Sequence, residues 1–216
     1  MNFFKNFTKK NIYLLIKSFL DVFFSLLVII IGSPLFFIIA ILIKFSSRGP
    51  IFYHHQRVGK NFKLFNCIKF RTMHPEADDI LENLLEKNEE IKIEFEKTYK
   101  LRNDPRITRI GKFLRKTSLD ELPQFINVLK MDMSVIGPRP IVEKEIEKYD
   151  TQINKVLSIK PGITGLWQVS GRNNLSYKKR IYLDSLYVEN FNFIMDIRII
   201  IRTFGVLLFP MDRGAY

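Results

Sequence analysis

Val22–Ile43 holds 22 consecutive positions without a charge, and no other stretch limits the fold as tightly. At 1.5 Å rise per residue such a run makes roughly 33 Å of helix, enough to cross the hydrocarbon of a bilayer. Length alone predicts one spanning helix. Two features argue instead for a hairpin that enters and leaves on one face. Ser33-Pro34 sits at the midpoint, where proline removes a helical hydrogen bond and crowds the preceding turn. The Ser33 hydroxyl can satisfy a freed carbonyl locally, so a bend at depth is tolerable. Charge also flanks both ends: Lys5, Lys9, Lys10 and Lys17 before, Lys44, Arg48, Arg57, Lys60 and Lys63 after. A spanning helix is oriented by a Lys/Arg bias to one side, and here neither side is favoured. The residues predict a re-entrant helix-break-helix anchor over 1–45, with Ser33 and Pro34 as the break. A second domain then occupies 46–216.

Charge distribution agrees with a membrane partner. The chain carries a formal +12, and residues 1–73 hold eleven Lys/Arg against one acid, Asp21. A basic segment that is also strongly apolar suits a surface of anionic headgroups. Nucleic acid is the competing partner for a basic chain. It is disfavoured because the cations flank an apolar run and are not interleaved with exposed aromatics. One cysteine, Cys67, excludes an intramolecular disulfide and reads as a small buried hydrophobe. His54, His55 and His74 lack ligand spacing with acids or Cys67, which argues against structural zinc.

Met1–Ser18 is basic and aromatic, with Phe3, Phe4, Phe7 and Tyr13 suited to the headgroup zone. Ser46–Met73 reads as turn, strand, turn, strand, with Gly49-Pro50 and Gly59-Lys60-Asn61 as breakers. Lys69 and Arg71 on its second strand can reach a phosphate; a solvated strand edge explains them equally well. Pro75–Lys100 reads as one charge-rich, solvent-exposed helix. Ile141–Leu157 is a second charged helical segment. Lys160–Arg172, KPGITGLWQVSGR, reads as a glycine-punctuated loop carrying the only tryptophan, Trp167. Such a loop can present backbone N–H groups and an aromatic face to a nucleotide, or simply bury its Trp. Tyr177–Val188 follows as a helix with Asp184. Phe191–Phe209 is apolar but interrupted by Asp196, Arg198 and Arg202, a pattern for an amphipathic interfacial helix.

Thr117–Pro140 concentrates the chemistry. Asp120 and Glu121 are adjacent carboxylates at the predicted start of a helix with apolar residues at Leu119, Leu122, Ile126 and Leu129. Ser118 and Glu121 fit a capping box, and Pro123 suits a first turn. That placement would put Asp120 at the positive end of a helix dipole, where phosphate also binds. Arg115, Lys116 and Arg139 flank the pair. A solvated helix start is the plain alternative.

KFRTM at Lys69–Met73, TSLDELPQ at Thr117–Gln124, IGPRP at Ile136–Pro140, KPGITGLWQVSGR and LDSLYV at Leu183–Val188 together resemble the bacterial sugar transferases. These are the monotopic phosphoglycosyl transferases, or polyprenyl-phosphate hexose-1-phosphate transferases. The resemblance runs from about Lys10 onward and looks like the minimal form of the family. It implies a mostly helical α/β monotopic membrane protein, with a re-entrant anchor, a small cytosolic catalytic domain and interfacial amphipathic helices. It also implies transfer of a sugar 1-phosphate from a UDP-sugar to undecaprenyl phosphate, releasing UMP on the cytoplasmic face of the inner membrane and feeding downstream glycosyltransferases. By resemblance Asp120 is the nucleophile, Glu121 its helper on metal or phosphate, and Mg2+ the cofactor. Lys69, Arg115, Arg139, Arg172 and Asp184 are implied in phosphate or nucleotide binding.

Two rivals stand beside this reading. One is a non-catalytic membrane-surface scaffold that binds anionic lipid or nucleic acid. The other is a one-step transferase in which Asp120 only ligates metal.

Overall fold

The apolar run folds as helix throughout. In the computed structural model, which describes residues 9–98, 101, 103–171 and 174–208, helix α1 extends over Lys9–Ser46 with Pro34 inside it. Proline leaves the carbonyl four residues back without its donor. That carbonyl is Ile30 O, and Ser33 Oγ donates to it at 2.9 Å, so the expected local repair is present. Much of the helix surface is bare hydrocarbon, with Phe19 72% and Phe37 67% exposed. It is long and apolar enough to cross a membrane. The expected headgroup residues Phe3, Phe4 and Phe7 lie outside the described residues.

The two expected strands form β1, Phe52–Val58, and β2, Leu64–Phe70, paired in a two-stranded sheet. Gly59 and a 3-10 turn at Lys60–Phe62 join them, where the breakers predicted a turn. The expected helix over Pro75–Lys100 is two: α2, Ala77–Lys87, and α3, Glu89–Thr98. Asn88 interrupts it in an extended conformation, its side chain accepting from Glu90 N and Ile91 N. Helix α4, Arg109–Thr117, and short helix α5, Gln124–Leu129, follow. Strand β3, Ser134–Ile136, pairs in parallel with β4, Gly162–Thr164. Between them the expected charged helix is fragmented into 3-10 turns and two four-residue helices, α6, Ile146–Tyr149, and α7, Ile153–Val156. Helices α8, Tyr177–Asn190, and α9, Phe193–Leu208, complete the order. The described residues are thus mostly helical with two small sheets.

Packing divides the chain into two compact units: Met1–Ser33 with His54–Ile68 and Pro123–Ala215, and Pro34–Tyr53 with Lys69–Leu122. In the first, Val135, Ile136, Tyr187, Val188, Phe191 and Ile199 form a core joined by Tyr13 and Leu14 of α1. A polar network runs beside it. Asp196 of α9 takes Lys17 Nζ at 2.8 Å and the hydroxyls of Tyr13 and Tyr187, each at 2.8 Å. Lys17 and Asp196 are both buried, so each needs the other: a buried charge without its partner is strongly destabilising. Asn127 of α5 is a second buried polar group, 1% exposed. Its Oδ1 accepts from Ile68 N and its Nδ2 donates to Asn66 O, so one side chain continues the β2 hydrogen-bond ladder.

In the second unit Ile39 and Ile43 of α1 pack with Phe70 and Leu114, with Leu119 and Leu122 against them. This core sets α4 and the turn after it against the end of β2.

Helix α9 has three sectors at helical spacing. Asp196 and Ile199 are buried, Arg198 and Arg202 are exposed, and Phe193, Ile194, Ile197, Ile201 and Phe204 form an exposed apolar stripe.

Candidate active site

The KFRTM segment organises the second unit. Lys69 Nζ meets Glu121 Oε1 at 2.5 Å. Arg71 Nη2 donates to Ser47 O at 2.7 Å and Ser47 Oγ at 3.0 Å, just beyond the C-terminal end of α1. Thr72 Oγ1 accepts from Arg115 Nε at 2.9 Å. The chain stays extended past Phe70, and Met73 forms an antiparallel bridge with Ile107. Three side chains of one segment thereby fix the acid pair, the end of α1 and the α4 arginine.

Helix α4 can lie this close only because of Gly111. A Cβ there would sit 1.9 Å from Thr72 O. That carbonyl is held in place by Thr108 N at 3.0 Å, and Thr108 also caps α4 by accepting from Gly111 N. Upstream, Asp104 and Arg106 form a buried two-point ion pair, with contacts of 2.8 and 2.6 Å.

The acid pair does not start a helix as the spacing predicts. Ser118 is left-handed, with φ 57°, and ends α4, its N–H bonding to Arg115 O and Leu114 O; its side chain caps nothing. Asp120 and Glu121 sit on a 3-10 turn, Leu119–Glu121, and Pro123 precedes the six-residue α5. The proposed capping box and dipole are therefore replaced by side-chain electrostatics. Helix α5 also buries a different face. Gln124, Asn127 and Val128 are buried, while Ile126 and Leu129 are intermediate.

Burial pushes the Asp120 carboxyl up to about 6, and the Glu121 charge adds to the rise; Lys69 and Arg115 oppose it. Burial lowers the Arg115 guanidinium and the Asp120 charge raises it. Such a carboxylate is ionised at neutral pH yet poorly solvated, a condition that favours attack on an electrophile. Among the described residues no cluster of three or more His, Cys, Asp or Glu could hold a metal ion. Two adjacent carboxylates that repel each other do fit a Mg2+ that keeps few protein ligands and shares substrate phosphates.

The remaining expected site residues belong to the other unit. IGPRP and KPGITG prove to be one structure. Gly137 N donates to Thr164 O at 3.0 Å and Gly162 N to Pro138 O at 2.8 Å. A Cβ on Gly162 would fall 2.0 Å from Gly137 N, and one on Gly165 would fall 2.1 Å from Gly137 O. Bare backbone is required on both segments. The glycine-rich loop expected over Lys160–Arg172 thus begins with a strand. Trp167, 3% exposed, carries the Arg139 guanidinium 5.5 Å and the Arg180 guanidinium 5.0 Å from its ring centre, a cation–π arrangement. Sequence reading missed Arg180, whose position in α8 gives no local signal. Asp184 is wholly interior, 1% exposed, with Oδ2 accepting from Tyr149 OH at 3.2 Å. Burial pushes it up to about 8. Among the described residues its Oδ1 has no hydrogen-bond partner. Arg172 lies outside the described residues.

Residues 12–210 match the family described as bacterial sugar transferase. The chain is 48% identical over 98% of its length to the undecaprenyl-phosphate galactose phosphotransferase of Salmonella typhimurium, and covers 44% of that protein. It is 49% identical over 94% of its length to an uncharacterized sugar transferase of Haemophilus influenzae, covering 42% of it. It is 44% identical to exopolysaccharide production protein ExoY of Rhizobium meliloti, covering 93% of this chain and 88% of that one. The chain thus spans under half the length of the first two relatives and most of the third.

Proposed function

This chain belongs to the bacterial sugar transferase family, and from that premise we propose that it transfers a sugar 1-phosphate from a UDP-sugar to undecaprenyl phosphate. The observation that carries the reading is Asp120: a carboxylate raised by burial, beside Glu121, with Lys69 and Arg115 acting on it. The names of the Salmonella relative and of ExoY point to the same acceptor and to polysaccharide production.

The reaction runs in two displacements. An ionised Asp120 oxygen attacks the β-phosphorus of the UDP-sugar. The bond from that phosphorus to the bridging oxygen breaks, and UMP leaves with the oxygen. Asp120 now carries the phosphosugar. A phosphate oxygen of undecaprenyl phosphate then attacks the same phosphorus, the bond to Asp120 breaks, and the carboxylate is restored. Lys69 and Arg115 offer positive charge to the phosphoryl oxygens as it builds in the transition state. Glu121 holds Lys69 in place and keeps Asp120 basic. Mg2+, held by Asp120 and Glu121, would neutralise diphosphate charge. Purified protein should release UMP over many turnovers from at least one UDP-sugar only when polyprenyl phosphate is present, and no more than one UMP per protein without it. Sustained acceptor-independent release, or none from a full UDP-sugar panel, would refute the reaction.

A pH profile follows from the same site. Asp120 must be ionised to attack, so kcat/KM should rise with pH through about 6. Glu121→Gln removes a negative neighbour and should move that limb to lower pH. Lys69→Met removes a cation and should move it to higher pH. Limbs that stay put in both variants would remove Asp120 from the chemistry.

We assign α1 to the cytoplasmic face of the inner membrane as a re-entrant anchor that bends at Ser33-Pro34, over 1–45, with α9 lying in the interface on its apolar stripe. Support comes from cations on both flanks and from the Ser33 bond to Ile30 O, which makes the proline tolerable at depth. Cysteines placed at Lys10 and Lys44 should label from the same side of sealed vesicles. Labelling from opposite sides would make α1 a spanning helix.

A further inference from the structure

We propose that a cavity beside the first half of α1 holds the phosphate headgroup of an anionic bilayer phospholipid, gripped by Lys60 and Lys160. The proposal rests on the membrane-bound reading above and uses none of the residues assigned to transfer. The cavity lies within the first unit and has a volume of about 310 Å³. Leu14, Leu15, Ile159 and Phe191 give it an apolar lining, and Lys60 and Lys160 a cationic one. The same two lysines line an adjoining cavity of about 370 Å³.

The charges that line the first cavity do not balance. Lys17 is closed by Asp196 at 2.8 Å and Asp21 at 3.7 Å. Asp21 also receives the Ser134 hydroxyl. In the adjoining cavity Lys63 faces Asp132 at 3.7 Å. Among the described residues neither Lys60 nor Lys160 has a carboxylate within 4 Å. The Lys160 ammonium reaches only Ser18 Oγ at 3.4 Å and Met131 Sδ at 3.6 Å. Burial and the neighbouring Lys60 charge both disfavour its protonated form, while Asp21 and Asp132 favour it. Two ammonium groups thus line one cavity with no counter-ion between them.

A bound phosphate would relieve that repulsion and complete the hydrogen bonding of both amines. A free phosphate would leave the apolar lining facing water. A lipid satisfies both halves: its headgroup meets the lysines, and its acyl chains run along α1, where Leu15 is 61% and Phe19 72% exposed.

The test uses the full chain purified in detergent, with native mass spectrometry to titrate bound dioleoyl-phosphatidylglycerol against dioleoyl-phosphatidylcholine. The parent should prefer the anionic lipid. A Lys60→Gln/Lys160→Gln variant should bind it roughly thirtyfold more weakly, from about fivefold per lysine, with phosphatidylcholine binding unchanged. A Lys87→Gln/Lys92→Gln variant, which loses the same charge on α2 and α3, should behave as the parent. Equal binding by the Lys60/Lys160 variant, or equal loss in the control, overturns the proposal. So does glycerol phosphate binding as tightly as the lipid. Undecaprenyl phosphate is the rival source of the headgroup, and a raised KM for it in the Lys60/Lys160 variant would assign the cavity to the acceptor instead. If no chain releases UMP at all, the transferase reading fails while the lipid titration still decides this one.

Discussion

Replacing Asp120 with asparagine should lower UMP release by at least about 10⁴-fold, the scale on which loss of a covalent nucleophile is felt. The variant should remain membrane-bound and folded. It should also be no less stable than the parent above pH 6, and the sign follows from linkage. Asp120 titrates near 6 in the fold, against 3.8 when unperturbed. The folded state therefore binds this proton more tightly than the unfolded chain. The cost of ionising Asp120 is absent below about 3.8, grows as pH rises, and is complete above about 6. Asparagine has no such cost. Loss of activity with a midpoint of thermal unfolding equal to or above the parent's at pH 7.5 is the expected pair of results. Near-parental turnover would end the carboxylate mechanism. A second measurement separates two displacements from one. Intact parent protein incubated with UDP-sugar alone should gain the mass of one phosphosugar, and the Asp120→Asn protein should not. If turnover is lost in the variant but the parent never gains that mass, Asp120 serves one direct transfer.

The second large effect comes from a position with no chemistry of its own. Gly111→Ala should destabilise the protein by about 3 kcal/mol or more and abolish transfer. The added Cβ would lie 1.9 Å from Thr72 O and 2.6 Å from Thr72 C, atoms of a backbone that a flexible side chain's retreat cannot relieve. Helix α4 must then lift from the strand, and Arg115 leaves Thr72 Oγ1 with it. Urea midpoints in detergent measure the first effect, and UMP release the second. A variant with a parental midpoint would mean that α4 does not press on this strand.

Much of this was legible in the residues, and the gaps have physical causes. The β1–β2 hairpin was readable because its breakers, Gly49-Pro50 and Gly59-Lys60-Asn61, bound two runs of aromatic and β-branched residues. The β3–β4 pair was not. Strands of three residues are too short to show alternation, and what holds them is close backbone approach at Gly137, Gly162 and Gly165. The Ser118/Glu121 pattern misled because a left-handed serine can end one helix as readily as a β-region serine begins another. The buried face of α5 was invisible for a related reason. Gln124 and Asn127 are polar, and Asn127 is at home there only because Ile68 N and Asn66 O, some sixty residues upstream, are waiting for it. The acid pair itself was conspicuous, but its environment was not. Nothing local indicates that Lys69 lies against Glu121 or that burial lifts Asp120.

The link between Lys17 and Asp196 has a consequence in time. The two residues are 179 positions apart, so the acid is made long after the lysine. Until the ribosome has delivered α9, the first half of α1 carries a lysine whose buried site has no anion other than Asp21 at 3.7 Å. The first half of α1 can therefore take its buried place only when α9 docks and brings Asp196 to Lys17. A chain cut before Asp196 would leave Lys17 with only Asp21 to meet it.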